Sequence, residues 1–264
     1  MWGRRDVDFI QSQDVSWSIA PTGEFAAGEM TRILSRDDSD GAVTEIVRFH
    51  NRQAGYLVAG ADIYILEGDG TLNGERVAGG QYVYLPAGVE IDWRPGTRMT
   101  AFFGSFAEPT LSAVARPGDR GEPRIVAPDL LPWIPAGWAD EGTLDAGAAM
   151  KWLRSDTGPG LVLLSGMLPG WKSEKVESHP IFEESFKLVG DILMGARGVM
   201  RPGAYFYRPP NVAHGPLYSR SGTMSLIRWS QAATTTFTEP SIAWDRLADI
   251  AYGSMTAPAL RCHE

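Results

Sequence analysis

The sequence is poor in the residues on which thiol and metal chemistry depend. Of its 264 residues, one is cysteine (Cys262) and four are histidine: His50, His179, His214 and His263. Intrachain disulfides and thiolate metal clusters are therefore excluded, and a lone thiol in a tail segment is expected to be inert. Lysine is scarce too. The first of the four is Lys151, against twenty arginines, so residues 1–150 can host neither a Schiff base nor a phosphate-binding P-loop. Acidic residues outnumber basic ones 32 to 24, and a net charge of −8 argues against a nucleic-acid partner. No apolar run approaches the roughly 18 residues of a membrane span. Met1-Trp2-Gly3-Arg4-Arg5-Asp6 leads into no apolar signal core, so a cytoplasmic protein without a membrane partner is expected. Helical periodicity is also rare; residues 241–251, after Pro240, carry the one clear instance.

What the chain does contain is strand pattern. Hydrophobic residues make up 44% of it, enough for a buried core, and 30 glycines and 18 prolines divide it into short runs. Residues 61–68, 81–85, 99–103, 161–164 and 223–229 are strand-length segments rich in aromatic and β-branched residues, bounded by turn residues. These segments repeat. Leu66-Glu67-Gly68-Asp69 matches Leu188-Val189-Gly190-Asp191, and Gly80-Gln81-Tyr82-Val83-Tyr84-Leu85-Pro86 matches Gly203-Ala204-Tyr205-Phe206-Tyr207-Arg208-Pro209. Gly96-Thr97 matches Gly222-Thr223, and Leu34-Ser35-Arg36-Asp37 resembles Leu153-Arg154-Ser155-Asp156. The spacing drifts in one direction from about 119 to about 126 residues, as small loop insertions produce. The halves divide in the turn-rich stretch 115–123, giving expected domains of residues 1–122 and 123–264.

In the second half, His179 is followed after three residues by Glu183, and Glu183 after six by Gly190. Gly203 is followed after five residues by Pro209, then Asn211, His214 and Tyr218. These two blocks resemble the paired motifs of the cupin superfamily, Gly…His-x-His…Glu…Gly and Gly…Pro-x-Gly…His…Asn. Glu177 stands in place of the first histidine, Asn211 in place of a glycine and Tyr218 in place of the asparagine. The phrases Glu177-Ser178-His179-Pro180 and Arg208-Pro209-Pro210-Asn211-Val212-Ala213-His214-Gly215-Pro216 are similar to a group of bacterial two-cupin proteins. The resemblance implies an all-β bicupin: two antiparallel jelly-roll barrels of six to eight strands in one chain, with few short helices. It implies a metal motif in the C-terminal barrel alone. Projected onto the first half, Glu177, His179, Glu183 and His214 become Gly55, Leu57, Ala61 and Ile91, none of which has a donor atom.

Residues two apart on a strand share a face, so Glu177 and His179 can point into one barrel and be joined there by Glu183 and His214. Two imidazoles and two carboxylates suit one divalent transition metal per chain: Fe(II) first, with Mn(II), Ni(II) or Zn(II) as alternatives. Glu184 falls on the opposite face, expected to be exposed, and is the substitute ligand if Glu183 points away. Tyr205 and Tyr207, on the strand leading to His214, and Lys187, in phase with Glu183, are candidate catalytic groups for moving protons. Trp171 and Trp229 are expected near the barrel ends. His50, and the pair Cys262 and His263, have no partner in the sequence and are read as a loop residue and a tail.

The function these residues indicate is a metal-dependent enzyme acting on a small organic molecule, with an Fe(II)-type dioxygenase as the first reading. A non-oxidative lyase, isomerase or hydrolase using the metal as a Lewis acid is the second, and a ligand-binding cupin without turnover the third. A homodimer is the default assembly.

Overall fold

Short apolar runs bounded by glycine and proline can bury one face only by pairing edge to edge, and these runs pair throughout as antiparallel ladders. A computed structural model of the chain describes residues 4–115, 121–136, 146–155 and 159–253. The expected segments form the strands Ala61–Glu67, Tyr82–Leu85, Met99–Ser105, Leu161–Met167 and Thr223–Trp229. Among the described residues there is one α-helix, Trp244–Tyr252, which starts three residues later than the sequence pattern suggests. The all-β expectation holds. Among the same residues no helix is long and apolar enough to cross a membrane.

The strands fall into two large sheets of seven and three smaller ones. In one large sheet the order is Arg124–Val126, Tyr82–Leu85, Ala61–Glu67, Met99–Ser105, Val43–Phe49, Met30–Arg36 and Ser18–Ile19. The other runs Val7–Gln11, Ala204–Arg208, Glu183–Gly190, Thr223–Trp229, Leu161–Met167, Ala148–Arg154 and Ile134–Pro135. The two orders correspond strand for strand, with one reciprocal feature at the edge. Val7–Gln11 pairs with Ala204–Arg208, and Arg124–Val126 pairs with Tyr82–Leu85, so two strand pairings cross the expected division at residues 122 and 123.

The repeated turn explains its glycines. Gly68 and Gly190 sit at φ +89° and +75°, and a Cβ on either would lie within 2 Å of a carbonyl oxygen, that of Arg98 or Gly222. One buried apolar cluster, with Phe25, Phe49, Trp93 and Phe103, lies wholly in the first half. Another, with Met150, Leu163, Ile192 and Phe206, lies wholly in the second. A third joins the halves: Tyr64, Tyr82, Tyr84 and Phe102 pack with Phe186, Tyr205 and Tyr207, and the Phe102 and Phe186 rings are 5.4 Å apart. The central strands of each large sheet are therefore buried on both faces, one against the apolar cluster of their own half and one against the other half.

Candidate metal centre

The site begins with a strand contact. The backbones of Glu177 and His214 exchange both hydrogen bonds, N–H to O at 2.8 and 2.9 Å, which sets their side chains beside each other on one face. His214 Nε2 lies 3.2 Å from Glu177 Oε1. Two residues on, His179 falls on the same face, and its carbonyl accepts a 2.6 Å hydrogen bond from Asn211 N–H. Asn211 adopts φ +67°, which is why asparagine serves in the position that glycine takes in the motif. The His179 and His214 rings are 5.4 Å apart, and donor atoms of Glu177, His179 and His214 all lie within 4.8 Å of one another.

Glu183, first residue of its strand, completes the group. Its Oε2 lies 3.7 Å from His179 Nε2 and 3.4 Å from His214 Nε2, yet it is buried and receives no hydrogen bond. Of the other ring nitrogens, His179 Nδ1 is 3.2 Å from Thr235 Oγ1 and 3.4 Å from Thr234 O, and His214 Nδ1 is 3.5 Å from Val212 O. Without a cation, Nε2–H of His214 can donate to Glu177; with the protons moved to Nδ1, both Nε2 lone pairs would turn toward the carboxylates, the usual orientation of metal-ligating imidazoles. A buried carboxylate oxygen without a hydrogen bond, facing two imidazole nitrogens, fits a divalent cation. Burial raises the Glu177 carboxyl, but the hydrogen bond and charge of His214 outweigh it and hold its pKa below the ordinary value. Burial lowers His214 in turn, while the Glu177 hydrogen bond and the Glu177 and Glu183 charges bring its pKa above the ordinary value.

The cluster opens onto a cavity of about 100 Å³ with a largely apolar wall that includes Met167, Trp171, Ile192, Phe206 and Trp229. Lys187 reaches it from the same face as Glu183, as the strand phase predicts, and Trp171 and Trp229 line it. Two expectations are corrected. Tyr205 and Tyr207 do not reach the cavity, because Phe206 takes the inward face of that strand and the tyrosines pack into the cluster between the halves. Glu184 does alternate away from the cavity, but it is 1% exposed rather than solvated. It is bound by Arg4, Arg228 and Thr44, since the outer face of its sheet is covered by the first half. Tyr218, in the asparagine position of the motif, packs against Trp244 with ring centroids 5.0 Å apart. His50 is exposed beside Glu29, consistent with a loop residue. Cys262 and His263 lie outside the described residues.

The sequence reading missed two polar groups. One is a row of serines in the cavity, Ser165 and Ser225 beside Lys187, which strand phase could have found. The other is a buried ion network between the halves. Arg228 donates to Asp62 at 2.9 Å and to Glu184 at 2.9 Å, and Arg154 donates to Asp62 at 3.1 Å. No local pattern announces such a network, because the links that cross between the halves join residues 92 and 166 positions apart.

A family model for a domain of unknown function, DUF4437, matches residues 6–236. The chain belongs to the DUF4437 family. No curated protein matches it. Among solved structures it is similar to a candidate dioxygenase from Nostoc punctiforme, with 24% identity, a TM-score of 0.72 and coverage of 90% of this chain and 92% of that one. It is also similar to a candidate glyoxylate-induced protein from Pseudomonas aeruginosa, with 13% identity, a TM-score of 0.60 and coverage of 89% and 90%. The oxalate decarboxylase of Lactobacillus farciminis aligns at 11% identity and a TM-score of 0.58, with coverage of 92% and 90%. At these identities the likeness establishes a cupin-like all-β fold for this DUF4437 chain, and the fold alone.

Proposed function

We propose that this DUF4437 protein is a metal-dependent enzyme for a small organic molecule, most simply a dioxygenase, built as two cupin barrels over residues 1–122 and 123–264 that each lend an edge strand to the other. The observation that carries the reading is Glu183 Oε2, buried without a hydrogen bond and facing two imidazoles beside Glu177. Glu177, His179, Glu183 and His214 would hold one divalent metal, with Fe(II) as the first choice. Such a metal supplies Lewis acidity toward oxygen atoms of a bound molecule and, where redox-active, electrons for dioxygen. The chain itself supplies an apolar wall that excludes water, hydrogen-bonded imidazoles that fix the donor set, and Lys187 as the ionisable group within the cavity. The similar Nostoc structure, described as a candidate dioxygenase, supports the oxidative reading. A second, non-oxidative reading is favoured by the oxalate decarboxylases among the similar structures, one of which has Mn(II) centres in Bacillus subtilis.

The test is metal analysis of protein made without a metal-affinity tag, followed by loading with Fe(II) or Mn(II) and a screen of small carbonyl and phenolic compounds in an oxygen electrode. One equivalent of metal and substrate-dependent oxygen uptake with Fe(II) are expected. Equal turnover with Mn(II) under anaerobic conditions replaces the first reading with the second, and protein that retains no metal after loading removes both.

A further inference from the structure

The wall of the cavity contains one departure from hydrocarbon that the metal donors do not explain. On three adjacent strands, Ser165 pairs with Ser225 and Ser225 pairs with Lys187 at one level of the ladder, and all three side chains line the cavity. The corresponding row in the first half, placed by the same strands and the same bulge, is Val47, Ala101 and Ile65, each fully buried. A barrel of this kind closes well with hydrocarbon in that row. Burying an ammonium there carries a large desolvation cost, so its presence points to a ligand rather than to the fold.

The hydrogen bonds show what is left over. Lys187 Nζ donates to Thr223 Oγ1 at 2.7 Å and to Ser225 Oγ at 2.6 Å, two of its three donors. Thr223 passes its own proton to Val189 O, at 3.2 Å. Ser165 is 1% exposed and its Oγ has no hydrogen-bond partner among the described residues. The third ammonium proton and the Ser165 and Ser225 hydroxyl protons therefore face one end of the cavity; among the described residues no carboxylate forms an ion pair with Lys187, and Asp191 acts on it only through space. Lys187 and Glu183 are four residues apart on one face of one strand, so their Cα atoms are about 13 Å apart. The Lys187 ammonium leans further away, toward Thr223.

We propose that Lys187, Ser225 and Ser165 form a carboxylate subsite, and that the ligand is a small organic monoanion whose charged head binds there while its apolar body runs along the cavity toward the Glu177, His179, Glu183 and His214 cluster. The charge count rests on the metal reading: two carboxylates and a divalent cation cancel, which leaves the lysine without an ion-pair partner in the cavity lining. Burial holds the free Lys187 near a pKa of about 7, and a bound anion would return it to the charged form.

The experiment is calorimetric titration of the full-length, metal-loaded protein with benzoate, phenylacetate and hexanoate, each against its primary amide. The wild type should bind at least one carboxylate tenfold or more tightly than its amide. Lys187→Met should abolish that preference while keeping one equivalent of metal and unchanged affinity for the amide. Ser165→Ala, which removes a hydroxyl with no partner inside the protein, should fold normally and lower the carboxylate affinity several-fold, so it decides the matter if Lys187→Met does not fold. A wild type without preference, or a Lys187→Met protein that keeps it, overturns the subsite. Carboxylate preference that depends on Lys187 in a protein that never takes up metal leaves the subsite standing and removes the metal reading. Metal uptake without the preference does the reverse.

Discussion

The two halves build the same frame and fill it oppositely. In the first, Gly55 pairs with Ile91; in the second, the corresponding pair is Glu177 and His214. Ala61 opposite Leu85 becomes Glu183 opposite Arg208. Where the second half keeps a cavity, the first is packed with Phe25, Phe49, Trp93 and Phe103, whose neighbouring ring centroids lie 5.4 to 6.1 Å apart. The frame is thus stable when filled with hydrocarbon, and the donors and the cavity of the second half are additions to it rather than conditions of folding. Between the halves the pairing is also unequal. Asp62 and Glu184 occupy matching buried positions and share one guanidinium, because Arg228 takes the space that a side chain at Gly104 would need; a Cβ there would lie 2.2 Å from Arg228 Nη1.

The largest effect expected from breaking this comparison is on metal. The intact chain should hold one equivalent, and the His179→Ala/His214→Ala double variant should hold none while keeping its far-ultraviolet circular dichroism. Two equivalents in the former, or one in the latter, would show that the first half binds metal after all. Next is Arg228→Met, which leaves the buried carboxylates of Asp62 and Glu184 without their shared cation and should cost about 3–5 kcal/mol in urea unfolding. A loss below about 1 kcal/mol would mean that Arg4 and Arg154 satisfy both carboxylates without it.

How much of this was visible in the sequence follows from the range of each interaction. Strands and turns are set by local alternation, and a motif spacing marks Glu177, His179, Glu183 and His214, whose side chains lie together. Alternation says which residues share a face but not what covers it. Glu184, Tyr205 and Tyr207 were misplaced for that reason: the outer face of their sheet looks like a solvent face in the sequence and is in fact packed on the other half. The exchange of edge strands, Val7–Gln11 for Arg124–Val126, was equally hidden, since short strands carry no mark of their partner.

A third experiment writes the row of the first half into the second as Lys187→Ile/Ser225→Ala/Ser165→Val. Carboxylate binding should be lost, and stability should rise by about 2 kcal/mol at pH 6. The sign follows from the lysine. Its folded pKa, lowered by burial to about 7, lies under the ordinary 10.5, so below pH 7 the native state must bury the charged form. From pH 7 to 10.5 the unfolded chain holds more protons, wild-type stability rises with pH, and the advantage of the variant should shrink across that window. A variant less stable than the wild type at pH 6 would show that the row supports the fold as well as a ligand.

The smallest effect concerns an ionisable group in the packed half. Glu45 shares a strand face with Val43, Val47 and Phe49, the face that packs the apolar cluster of the first half, at the place that Leu163 fills in the second. Thr31 Oγ1 donates to its Oε2, and its Oε1 has no hydrogen-bond partner. Burial pushes the carboxyl up to about 7, with the Thr31 hydrogen bond and Arg36 acting downward and Glu24 upward. Between the ordinary 4.5 and 7 the native state therefore binds a proton more tightly than the unfolded chain does, and stability falls as pH rises through that window. Glu45→Gln, which keeps the neutral shape at every pH, should match the wild type at pH 5 and exceed it by about 1–2 kcal/mol at pH 8. Glu45→Leu, the residue of the second half, should gain as much if the aromatic packing around it accepts a branched side chain. Urea unfolding of the three proteins at both pH values is the measurement. A Glu45→Gln protein that loses as much stability as the wild type between pH 5 and 8 would place the titrating group elsewhere and leave Glu45 ionised in the native core.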